Sequence, residues 1–324
     1  MKTVLLTVSL LALAVPVFST AAWADPSIKP TVVPPVVPAQ VPAITDAVQR
    51  AAIKKIMPKK IILVGDSTTQ VGSGWGGSFC ANHLTSFVSC VNLARGGRGT
   101  FDYRAEGSWD IAMAEMKTPG YTQIYVLIQF GHNDQPGKPG RSTDLYKEYP
   151  DNLRHYVTDA RSVGAIPVLV TPLTRRSFKN GSLQDDLEAW AQAVRDVAKE
   201  MNVPLVDLNA ASVAAVQSMG PVEAISLAET MPPQEVIDAA KTGTTIGAPK
   251  PPTPAMPAAP ATPAAPQSTE VVVTPQGHPT VVFDYTHLGP KGADFFSEMV
   301  TVELAKAVPD LRKDLVQELY PPYH

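Results

Sequence analysis

KKIILVGDSTTQ, residues 59–70, begins as an apolar strand and stops at a glycine, a small acid and a hydroxyl. Ile61, Ile62, Leu63 and Val64 follow one another with no polar residue between them, and three of the four are β-branched. A strand with one face in water alternates, whereas one covered on both faces reads as a continuous apolar run. The stretch therefore predicts an inner strand of a parallel sheet whose carboxyl end carries Gly65-Asp66-Ser67.

Similar short runs recur down the chain: SCVNLAR (89–95), QIYVLIQFG (123–131), AIPVLVTPL (165–173) and VPLVDLN (203–209). Helical patterns separate them. In DLEAWAQAVRDVAKEM (186–201), Leu187, Trp190, Ala191, Val194, Val197 and Met201 fall on one face. YPDNLRHYVTDARSVG (149–164) ends on Gly164, a C-cap residue, and a last helix is expected from Pro290 through Phe296, Val300, Leu304 and Ala307. Strand-helix alternation of this kind implies an α/β fold with a parallel sheet between helix layers.

Ligands of open parallel sheets bind beyond the carboxyl ends of the strands. Four segments belong on that rim: Gly65-Asp66-Ser67, RGGRG (95–99), GHND (131–134) and DYTH (284–287). Each alone also fits a plain turn or a helix cap. RGGRG lacks the Lys-Ser/Thr that completes a phosphate loop. Asp284 and His287 are spaced so that the carboxylate can hold one imidazole nitrogen while the other faces outward, the arrangement of a general base. His132 is a second candidate base or a structural residue of its turn, and Asp66 and Asp134 are expected to brace their loops.

Taken in order, these segments resemble the GDSL/SGNH hydrolases. Within that superfamily the rhamnogalacturonan acetylesterase group is the most similar, on GDST (65–68), GWGG (74–77), Asn92-x-Ala94 with Gly97-Arg98, FGHND (130–134) and D-x-T-H-x-x-P (284–290). The resemblance spans about residues 58–308. It implies a flavodoxin-like three-layer α/β/α sandwich around a five-stranded parallel sheet. It further implies a Ser67-His287-Asp284 triad, an oxyanion hole from the Ser67 and Gly97 N–H groups and the Asn133 side chain, and removal of O-acetyl groups from a polysaccharide without a cofactor or metal. Trp75 and Arg98, with Arg175-Arg176, are candidates for sugar or uronate contact. The chain departs from the family pattern at Gly99, where a polar residue is usual, and in the Pro/Ala-rich stretch ahead of Asp284.

The chain has 324 residues, 44% hydrophobic and 18% charged, the composition of a globular protein. Residues 1–24 have the features of a secretory leader: Lys2, an apolar run, and Ala22-Trp23-Ala24 before a cut at Asp25. An uncleaved anchor is the alternative. Removing the leader takes away Lys2, leaving 26 basic and 30 acidic residues, which speaks against nucleic-acid or anionic-membrane partners. In an oxidising compartment Cys80 and Cys90 either form a bridge or remain two buried thiols.

Six prolines in residues 26–42 predict a semi-rigid N-terminal spacer (25–50) ahead of the hydrolase domain (51–324). Ten more in residues 249–279 predict a disordered insertion at about 242–270, read as a surface excursion with no catalytic part. The rival functions are a lipase or thioesterase, or a peptidoglycan O-acetylesterase, on the same triad. From another class, a non-catalytic carbohydrate-binding wall protein would show a broken triad or oxyanion set. A metal-dependent phosphodiesterase would need more His and Asp ligands at the rim.

Overall fold

A computed structural model describes Arg50 and residues 53–247 and 282–317 of the chain. The expected leader, residues 25–49 of the expected spacer and residues 248–270 of the expected insertion lie outside the described residues.

Chain order within the compact body from Lys55 onward is β1 (Lys59–Gly65), α1 (Gly76–Asn82), β2 (Val88–Asn92), α2 (Asp102–Ala105), α3 (Ser108–Met116), β3 (Ile124–Gln129), α4 (Glu148–Ser162), β4 (Ile166–Val170), a hairpin of β5 (Phe178–Lys179) and β6 (Ser182–Leu183), α5 (Glu188–Glu200), β7 (Leu205–Val206), α6 (Leu208–Ala224), α7 (Gln234–Lys241) and α8 (Pro290–Ala307). Five strands form one parallel sheet in the order β2-β1-β3-β4-β7. The second strand of the chain lies on one side of β1 and all later ones on the other, so the order reverses at β1/β3, where doubly wound sheets bind ligands.

The apolar runs divide between two cores. Ile61 and Leu63 of β1, Tyr125 and Leu127 of β3, and Val168 and Val170 of β4 pack with Phe79 of α1 and with Phe296, Val300 and Leu304 of α8. Ile62, Val64, Val126, Ile128 and Leu169 face the other way, onto Trp109 of α3, Tyr156 and Val157 of α4, and Trp190 and Val194 of α5. Successive strand residues point to opposite faces, so helices on both sides demand an unbroken apolar run. This is the three-layer α/β/α sandwich.

α4 closes at Gly164, whose φ of +80° a side chain would strain. β2 stops sooner than its apolar run because Asn92 Oδ1 accepts the Ala94 N–H at 3.0 Å. Arg95 N–H still reaches Gly65 O at 2.9 Å, which keeps RGGRG at the mouth of β1. Residues 243–245, at the start of the expected insertion, are hydrogen-bonded to the body. Gly181 N–H donates to Gly243 O at 2.8 Å and Thr245 N–H to Phe178 O at 2.9 Å, so the β5–β6 hairpin pins residues 243–245.

Cys80 of α1 and Cys90 of β2 are bridged, with Cα atoms 5.6 Å apart. Among the described residues no helix is long and apolar enough to cross a membrane.

Candidate active site

Four loops meet at the carboxyl edge of β1 and β3. The loop after β1 turns on Asp66, whose buried carboxylate accepts the Thr68 N–H and hydroxyl, each at 2.8 Å. That tight turn brings Ser67 to the surface of a cleft of about 550 Å³, which also reaches Gly97, Asn133, Asp284 and His287.

Ser67 Oγ lies 2.9 Å from His287 Nε2, and His287 Nδ1 lies 2.5 Å from Asp284 Oδ2. The other oxygen of Asp284 accepts the N–H groups of Thr286 and His287, both at 2.7 Å, so one carboxylate shapes the turn and orients the ring. Burial pushes the Asp284 carboxyl up, but the hydrogen bonds from the His287 ring and backbone outweigh it and hold the group at about 2. The hydrogen bond to Asp284, against the opposing effect of burial, raises His287 above an ordinary imidazole. The Leu288 N–H donates to Ser73 O at 2.8 Å, and Ser73 Oγ donates to Ser67 O at 3.2 Å. The turn that carries the imidazole is thereby tied to the loop that carries the hydroxyl.

Gly97 holds φ +78°, a backbone state that favours glycine, and a Cβ there would lie 3.2 Å from Arg141 Nη1. Among the described residues the N–H groups of Ser67 and Gly97 have no protein acceptor. The Asn133 side chain donates from Nδ2 to Arg98 O at 3.0 Å and accepts at Oδ1 from Lys138 Nζ at 3.2 Å. A hydroxyl aligned with an oriented imidazole, beside free amide donors, is equipped for acyl transfer.

Two expected sugar contacts take other places. Trp75 is fully buried, and its Nε1–H donates to Gln129 Oε1 at 2.9 Å. It packs edge-on against Phe79 beneath the 66–70 loop, so it is a scaffold residue and not a sugar platform. The glycines beside it allow that close approach: a Cβ at Gly74 would lie 2.4 Å from Thr68 O, and one at Gly76 would lie 2.1 Å from Thr69 O. Arg98 turns onto the Glu106 carboxylate at 3.0 Å and onto Gly96 O at 2.8 Å, outside the cleft lining.

Arg175 and Arg176 separate. Arg175 lines the cleft, donating to Thr286 Oγ1 at 3.2 Å and pairing with Asp186. Arg176 is fully buried; Nη2 donates to His287 O at 2.8 Å and Nη1 to Thr286 O at 3.3 Å. Burial draws its pKa down to about 10. His132 is buried beside the cleft with Nδ1 3.4 Å from Asp66 Oδ2, and among the described residues neither ring nitrogen hydrogen-bonds Ser67. Asp134 Oδ1 accepts the Thr100 N–H at 2.9 Å, and burial holds this carboxyl up at about 6 against those hydrogen bonds.

Two residues of the site escape a reading by motif: Lys138 and Gln129. Gln129 ends β3 fully buried, accepting from Thr69 Oγ1 and Trp75 and donating to Thr171 O at 3.1 Å. Its one signal in the sequence is a lone amide closing an apolar strand.

Residues 63–222 match the model of the family described as GDSL-like Lipase/Acylhydrolase family. The chain is 35% identical over 165 residues to the probable rhamnogalacturonan acetylesterase YesY of Bacillus subtilis (strain 168), covering 49% of this chain and 74% of that protein. It is 37% identical over 186 residues to the rhamnogalacturonan acetylesterase RhgT of the same organism, covering 55% of this chain and 77% of that one. The crystal structure of protein YxiM from Bacillus subtilis superposes with a TM-score of 0.51 at 20% identity, over 78% of this chain and 57% of that one, a likeness of fold.

Proposed function

From the premise that this chain belongs to the GDSL-like lipase/acylhydrolase family and is a carboxylic ester hydrolase, we propose that it is an exported serine esterase that removes O-acetyl groups from a polysaccharide of the pectic rhamnogalacturonan type. The observation that carries the reading is the unbroken line Asp284 Oδ2, His287, Ser67 Oγ, with steps of 2.5 and 2.9 Å, inside a cleft.

Ser67 Oγ attacks the ester carbonyl as His287 Nε2 takes its proton. The Asp284 carboxylate holds Nδ1 protonated and stabilises the imidazolium that forms. The carbonyl oxygen becomes negative and is received by the Ser67 and Gly97 N–H groups and the Asn133 amide. His287 then returns the proton to the leaving sugar oxygen. A water, deprotonated by the same imidazole, releases acetate from Ser67.

The acetyl group and the carbohydrate are supported by the names of the two relatives and by the cleft. Val282 is the one aliphatic side chain lining it among the described residues, against Gln70, Ser73, Lys138, Arg175 and Glu229. Export is supported by the leader expected at residues 1–24 and by the Cys80–Cys90 bridge, which persists in oxidising compartments.

The test is hydrolysis of p-nitrophenyl acetate, butyrate and octanoate by the mature chain and by Ser67→Ala. Acetate should be preferred, and the substitution should cost about 10⁴-fold or more in kcat. A preference for octanoate removes the acetylesterase reading, and a fully active Ser67→Ala removes the triad.

A further inference from the structure

The loop after β3 is closed by its own hydrogen bonds. Thr143 N–H donates to Asp134 O at 2.9 Å, Arg141 N–H to Lys138 O at 3.0 Å, and Lys138 N–H to Ser142 Oγ at 2.9 Å. This compact loop turns Lys138 back toward Ser67, into the cleft lining. There Nζ donates to His132 O at 2.5 Å and to Asn133 Oδ1 at 3.2 Å.

The amide of Asn133 is thus bound at both ends, oxygen to the ammonium and one nitrogen hydrogen to Arg98 O at 3.0 Å. The flipped amide would set its NH2 group against the ammonium and its oxygen against the Arg98 carbonyl, two repulsive contacts in place of two hydrogen bonds. Without Lys138, only the Arg98 carbonyl would favour one orientation. Among the described residues no carboxylate is within ion-pair distance of Nζ, so no contact partner neutralises the charge.

We propose that Lys138 is a positioning residue of the oxyanion hole: its ammonium locks the Asn133 amide with an N–H available to the cleft, and it adds a positive charge beside the oxygen that becomes negative. This rests on the acyl-transfer reading of Ser67. The charges facing the ammonium are Arg175 from the segment after β4, Arg141 on its own loop, Asp66 from the loop after β1 and Asp134 at the foot of its own loop. Burial, with Arg175 and Arg141, lowers the Lys138 pKa against the two carboxylates, so the side chain loses its proton at a lower pH than an exposed lysine. Activity that depends on its charge must then decline as pH rises through that value.

The experiment compares wild type, Lys138→Met and Lys138→Arg on p-nitrophenyl acetate across pH. Lys138→Met should lower kcat about 10-fold or more, short of the about 10²–10³ lost with a whole oxyanion donor, and leave KM within about threefold. Lys138→Arg should recover most of the loss. The alkaline decline of kcat should vanish in Lys138→Met and move upward in Lys138→Arg. A Lys138→Met kcat within twofold of wild type, a loss carried by KM, or an unchanged alkaline limb would overturn the proposal.

A second measurement needs no turnover. The Asn133 side-chain NH2 resonances should shift with an alkaline midpoint in the wild type and lose that step in Lys138→Met; identical titrations would overturn the proposal. A wild type that hydrolyses no ester sinks the esterase reading instead, and this titration still decides the role of Lys138.

Discussion

In the proposed mechanism His287 must be neutral when it takes the Ser67 proton, and Asp284 favours its charged form. The sign follows directly: kcat/KM should drop as pH falls through a value above the usual 6.5, because the raised imidazole protonates there and can no longer act as base. In Asp284→Asn this acid limb should move down, since the stabilising carboxylate is gone, while kcat falls by about 10⁴ as the ring loses its tautomer. A pH profile of both proteins checks it; an acid limb that stays put in the variant would show that another group sets it. At this scale the sequence was most legible for Ser67, Asp284 and His287, whose order and spacing carry their chemistry. It misled at Trp75. A tryptophan near a nucleophile looks the same in sequence whether it faces sugar or the buried Gln129 amide, and only burial separates the two.

α1 shows how an element can serve the site without touching substrate. It begins at Gly76 because the 66–70 loop folds down onto it, and Asn92 Nδ2 donates to Thr69 O at 2.9 Å from the other side. A Cβ at Gly76 would stand 2.1 Å from Thr69 O and 2.5 Å from Asn92 Nδ2, so either the helix or the loop must move. Gly76→Ala should therefore lower Tm and reduce kcat by up to about 10²-fold through displacement of Ser67. Thermal melts and steady-state kinetics on the same preparation test this, and wild-type values for both would refute the fit. The apolar period that marks α5 is missing from α1, a seven-residue helix that starts on two glycines. α6 escapes notice for a different reason: its sequence is rich in Ala and Ser, and Ser212 and Asn209 are as buried as Leu208 and Val216. The buried face mixes Leu208 and Val216 with Asn209 and Ser212, and the exposed face carries Ala210 and Ala214, so no apolar stripe marks the helix.

Across the whole molecule, the Cys80–Cys90 bridge links α1 to β2, and so ties the support of the 66–70 loop to the sheet edge. Closing a loop over a sequence separation of 10 is worth about 2–3 kcal/mol in the chain-entropy account. Cys80→Ala/Cys90→Ala should accordingly melt about 5–10 °C lower. Mass spectrometry of protein recovered outside the cytoplasm should find a chain that begins at Asp25 and carries this bridge. Cytoplasmic retention with intact residues 1–24 would refute export. The sequence by itself determined the layer architecture and the strand ends that meet at the site, because apolar periodicity and strand-helix alternation are local properties set by burial on one or two faces. Its resemblance to the GDSL/SGNH hydrolases also pointed to Ser67, His287 and Asp284, which the fold brings within hydrogen-bonding distance of one another. Only the tertiary structure decided what each remaining polar side chain near the cleft is for. Arg176 and Gln129 act through partners far along the chain, at Thr286 and His287 and at Trp75 and Thr171. Such roles depend on which groups the fold leaves without water, and no local pattern encodes that.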